Sequence, residues 1–171
     1  MVVLRRTEKL ARHLGALTDD GAPSDTALGD WYVNRFVVDR QPLLLLISQQ
    51  SLVPLIVPAR DAKTLPARLP DLVARRLRRM GVPDQHILAE VQAMSPVRVG
   101  KTVNRSVVGI LVDFAFNAPY FLERGAWDET TLPFVEAKLA MTPCYAGRPG
   151  NGTVFPDRAT PRLLAERWDA S

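Results

Sequence analysis

The stretch from Leu28 to Ala59, LGDWYVNRFVVDRQPLLLLISQQSLVPLIVPA, decides the fold. It reads as three successive strands, because runs rich in aliphatic, aromatic and β-branched residues are separated by turn clusters at Asp39 to Pro42 and Ser48 to Ser51. Leu43 to Ile47 is apolar at every position, the pattern of a strand covered on both faces. Pro54 lies inside the third run and donates no ladder hydrogen bond, so that strand is expected at a sheet edge or with a bulge. The three together predict an antiparallel meander.

Toward the N-terminus, Val2 to Leu4 reads as a short strand. Thr7 then stands where it would cap a helix carrying Leu10, Leu14 and Leu17 at helical spacing, and Thr18 to Ala27 is a loop. Toward the C-terminus, Pro70 in a first turn and Gly81 past the end punctuate a helix whose inner face holds Leu69, Leu72, Val73, Leu77 and Met80. Arg68, Arg75, Arg78 and Arg79 fall on its opposite face, with Arg76 at the boundary, its stem over apolar surface. A second helix spans Pro83 to Met94 and sets His86 one turn from Glu90. Ser95 to Val99 predicts a strand, Thr131 to Met141 a helix, and 142–159 a Pro/Gly-rich arm. A short last helix is expected to open at Thr160-Pro161.

The chain of 171 residues fits a single domain, 1–171, of α+β class: a mainly antiparallel sheet, the meander plus added strands, packed by several helices. One cysteine, Cys144, excludes an intrachain disulfide and fits a reducing compartment. No apolar run is long enough to span a bilayer and the first residues carry no secretion signal, so a cytoplasmic location without membrane contact is expected. The sequons at Asn104 and Asn151 would then stay unmodified. A net charge of +4 and a pI near 9.6 lean toward anionic partners.

The densest polar chemistry lies in GKTVNRSVVGILVDFAFNAPYFLER, Gly100 to Arg124. With Asn104 as N-cap, a helix from Arg105 sets Ser106, Gly109, Asp113, Asn117 and Tyr120 within an arc of roughly 80°. Its other sides are apolar, which predicts a largely buried helix with Asp113 buried and hydrogen-bonded. Alternation along GDWYVN sends Asp30, Tyr32 and Asn34 to one side of a strand and Trp31 and Val33 to the other, with Trp31 as a core anchor. Gly100-Lys101-Thr102 lacks the upstream glycine of a phosphate-binding loop, since Ser95 stands there. Two histidines and one cysteine supply too few ligands for a zinc site, so no metal and no cofactor is predicted.

GDWYVN, the aliphatic strands after Asp39-Arg40, KTVNRSVVG with Asp113, and TPC followed by FP together resemble an uncharacterised bacterial domain-of-unknown-function family with GDWYxN and TxNRSVxG patterns. The resemblance covers most of the chain. It implies a small bacterial protein, brings no known activity, and draws attention to Asp30, Trp31, Tyr32, Asn34, Lys101, Asn104, Arg105, Ser106, Gly109 and Asp113. Val33 and Val112 depart from the pattern expected of it. The expected function is binding of nucleic acid or another acidic partner, through the arginine helix and a cleft where the two motifs meet. The alternatives are a small enzyme on a phosphorylated or nucleotide-like substrate, with Lys101 and Arg105 holding the anion and Asp30 or Asp113 as general base, and an interaction module of a regulatory pair.

Overall fold

The computed structural model describes residues 1–145 and 152–170. Strands β1 (Val2–Arg6), β2 (Trp31–Val38), β3 (Gln41–Ser48), β4 (Pro54–Pro58) and β5 (Val97–Lys101) form one sheet in the order β4-β3-β2-β1-β5. The meander is present: β2–β3 and β3–β4 pair antiparallel, with Trp31 beside Ser48 and Leu45 beside Ile56. The other two pairings, β1–β2 and β1–β5, are parallel, so the sheet is mixed and not purely antiparallel. β1 inserts between β2 and β5, pairing Leu4 with Trp31 and Val2 with Val97.

Among the described residues, five α-helices cover the two faces: α1 (Leu65–Arg79), α2 (Asp84–Ala93), α3 (Arg105–Asn117), α4 (Leu132–Ala140) and α5 (Pro156–Trp168). Period-two alternation divides the sheet's side chains between two cores. Val2, Leu4, Trp31, Val33, Leu44 and Leu46 join α1, α2 and α5, while Tyr32, Leu43, Leu45, Ile47 and Ile56 join α3, α4 and Trp127. β3 is thus buried on both faces and β4 is an edge, as its Pro54 requires.

Local departures have local causes. After Thr7 the chain makes only a single 3-10 turn, Glu8–Leu10; Leu10 and Leu14 reach the core but Leu17 is exposed, too few anchors to hold a full helix. Pro66 opens α1 and Pro70 lies inside it. α5 begins at Pro156, four residues before the expected cap: Thr160 is buried mid-helix, where its Oγ1 donates to the Pro156 carbonyl (2.7 Å). That shortens the arm expected over 142–159, of which 146–151, with the Asn151 sequon, lies outside the described residues; Cys144 and Val154 bridge its ends. His86 meets Asp169 (2.6 Å) and not Glu90. Among the described residues, no helix is long and apolar enough to cross a membrane.

Candidate functional site

Asp30 ends the turn that delivers the chain into β2. Gly29 there has φ +73, and a Cβ would lie 2.9 Å from Gln50 Cγ, so both conformation and space call for glycine. The turn is clasped by Gln49 N–H donating to the Asp30 carbonyl (2.7 Å) and Gln50 N–H to that of Leu28 (3.0 Å). The Asp30 carboxylate, buried, accepts from Val3 N–H (3.1 Å) and from Arg5 Nε (2.7 Å).

Arg5 is the residue the sequence reading missed. It is buried in β1, and its Nη1 donates both to Asp19 (3.1 Å) and to the Lys101 carbonyl (3.0 Å). Burial works against its charge, and Asp30 and Asp19 outweigh that, raising its pKa. The network needs Gly100: a Cβ there would stand 2.8 Å from Val3, 3.0 Å from Asp19 and 3.1 Å from Arg5. A glycine inside a strand is the signal that could have revealed this close approach.

Beside Arg5 and Asp30 opens a cleft of about 650 Å³, walled by Ser24 and Thr26 of the 18–30 segment, Gln49 and Gln50 of the β3–β4 turn, and Glu166 of α5. Both Asp30 oxygens are engaged, whereas Arg5 Nη2 makes no hydrogen bond among the described residues.

The two motifs do meet, by a route other than the expected one. Tyr32, fully buried, accepts from Asn104 N–H at its hydroxyl (3.1 Å), and Asn104 caps α3 by accepting from Ser106 and Val107 N–H (3.0 and 3.2 Å). Burial raises the Tyr32 phenol's pKa. Trp31 is 1% exposed, a core anchor whose indole N–H has no acceptor among the described residues. Trp31 and Tyr32 are therefore shielded from any ligand. Asn34 accepts from Thr7 Oγ1 (2.7 Å) and not from Lys101 or Arg105. The Lys101, Arg105 and Ser106 side chains are exposed and do not line the cleft.

Asp113 corrects the expectation most sharply. It is exposed and has no hydrogen-bond or ion-pair partner among the described residues. α3 buries Val107, Ile110, Leu111 and Phe114 only, so its far side, Asp113 included, faces water. Asp113 lines a separate groove with Asn117 and Cys144, whose thiol burial first, and Asp113 second, push up to about 11. Asp30 and Asp113 thus belong to different surfaces.

The arginine helix is also less basic than its sequence. Arg68 pairs with Asp61 (3.3 Å) and Arg79 with Glu136 (2.7 Å), while Arg76 is 4% exposed and donates to the Pro54 carbonyl (3.0 Å). Arg75 and Arg78 remain exposed and unpaired among the described residues. No cluster of three His, Cys, Asp or Glu able to hold a metal occurs among the described residues.

No curated protein and no solved structure matches the chain. A family model described as a domain of unknown function, DUF6933, matches residues 3–159, nearly the whole length, and the chain belongs to that family.

Proposed function

We propose that the protein is a binding module and that its ligand is a small polar molecule held in the cleft beside Arg5 and Asp30. The observation that carries this reading is the fixed guanidinium: Arg5 lines the cleft, is held by Asp30, Asp19 and the Lys101 carbonyl, and keeps an Nη2 with no hydrogen bond among the described residues. A buried ion network adds little net stability, because desolvation offsets attraction, but it presents a donor that needs no ordering when a ligand arrives. Hydroxyls of Ser24 and Thr26, amides of Gln49 and Gln50 and the Glu166 carboxylate suit a ligand with both donors and acceptors, and Ala27 and Leu163 supply apolar wall. Catalysis is the weaker alternative: Asp30 spends both oxygens on Val3 and Arg5, and Asp113 lies in another groove.

The test is amide NMR shift mapping with sulfate, glutamate, ribose and adenosine as probes at millimolar concentration. At least one probe is expected to shift the amides of Ser24, Gly29, Gln49 and Gln50 together, and Ser24→Trp, which fills the cleft, to abolish the response. Absence of any response, or an equal one in the variant, rejects the reading.

A further inference from the structure

The outward face of α3 serves nothing described so far. Arg105, Gly109, Val112 and Phe116 follow at i, i+4, i+7 and i+11, the spacing of one seam along a helix. Val112 is 52% and Phe116 70% exposed, and the Tyr120 ring stands 6.2 Å from that of Phe116. Single exposed apolar residues are ordinary, whereas a row of them on one face marks an interaction surface. Gly109 adds an independent observation. A mid-helix glycine costs about 1 kcal/mol relative to alanine, and a Cβ there would meet nothing within 4 Å among the described residues, so no contact with them calls for it. Arg105 and Asp113, two turns apart, are both exposed and unpaired among the described residues.

We propose that this seam is an interface with a second copy of the chain, two α3 helices packing antiparallel across a two-fold axis near Gly109. The charge pattern selects that occupant. Reversal about Gly109 sets position 105 opposite position 113, so Arg105 of each copy meets Asp113 of the other, and both charges left over in one chain are satisfied twice. The same reversal sets position 116 opposite position 102, so the Phe116 ring lies about one turn from the other copy's Arg105, within reach of its guanidinium. Gly109 then lies where the helices approach most closely, the one place at which a missing side chain is useful. A parallel pairing would instead set Arg105 on Arg105 and Asp113 on Asp113.

Sedimentation equilibrium over a range of protein concentrations, with thermal melts as a check on folding, tests the proposal. The unsubstituted chain is expected to dimerise reversibly. Arg105→Asp and Asp113→Arg should each weaken the dimer at least about tenfold, because each creates two like-charge contacts. The double variant should return to within about threefold of the starting affinity, and Phe116→Glu should be monomeric with an unchanged melt. A chain that stays monomeric at every concentration, a dimer indifferent to these changes, or a double variant no better than the single ones overturns it. The cleft and this seam share no residue, so either proposal can fail alone.

Discussion

Glu90 sits fully buried where α2, the 18–30 segment and α5 converge, and its carboxylate accepts from Ala27 N–H (2.9 Å), Leu28 N–H (3.0 Å) and Trp168 Nε1–H (2.9 Å). Burial pushes its carboxyl above the ordinary 4.5, and these three donors pull it back only in part. A raised acid binds more protons folded than unfolded, so this group's contribution is full below 4.5 and is lost as pH rises through the folded value. Denaturation midpoints measured from pH 4.5 upward should therefore fall less steeply for Glu90→Gln than for the unsubstituted chain. Glu90→Ala strands three buried donors and should cost about 3 kcal/mol at neutral pH in urea denaturation. The i, i+4 spacing in α2 assigned Glu90 to His86, because a helix displays its own neighbours and hides partners brought by distant segments. Asp113 failed for the related reason that apolar neighbours in sequence do not reveal which half of a helix the sheet covers.

At the level of elements, both edges of the sheet are closed, one by the 18–30 segment and the other by side chains of two helices. Along β5, Val99 N–H donates to Thr18 Oγ1 (2.9 Å), and the Val99 carbonyl accepts from Thr18 and Asp19 N–H (2.9 and 3.1 Å). Along β4, Ile56 N–H donates to Glu136 of α4 (2.8 Å), while Arg76 of α1 covers the Pro54 carbonyl. Two helices from opposite faces thus wrap the strand and share a desolvated ion pair, Arg76 to Glu136 at 3.7 Å, which Arg79 completes. Glu136→Ala leaves a buried guanidinium and a bare edge amide, and should destabilise by about 3 to 5 kcal/mol with faster aggregation. Light scattering beside urea titration checks both. The meander was readable because its pairings are local and its turns carry signals between Asp39 and Pro42 and between Ser48 and Ser51. The place of β1 was not: a five-residue strand announces neither its direction nor partners as far off as Val97.

Over the whole molecule, the net charge of +4 is spread among many ion pairs, so the polyanion reading of α1 now rests on Arg75 and Arg78. Two phosphate contacts imply a slope of only about −2 in log affinity against log salt on duplex DNA. Titration of labelled duplex at two salt concentrations checks this, and a slope much steeper would show that another surface binds. The sequence marked Asp30 and both motifs, but not the Tyr32–Asn104 contact through which the motifs meet. It left Arg5 unmarked, because an arginine in a strand ordinarily reads as a side chain leaving for solvent. The two cores, finally, give the molecule its own optical labels. Trp31 lies in the core under α1, α2 and α5, Trp127 in the one under α3 and α4, and the third indole, Trp168, flanks the first. Phenylalanine replacements that leave only Trp31 or only Trp127 make fluorescence report one core at a time. Because β2, β3 and β4 each place side chains in both cores, the two unfolding curves should superimpose once each variant's stability is allowed for. Two separate midpoints within one single-tryptophan pair would mean that light had resolved a layer melting on its own.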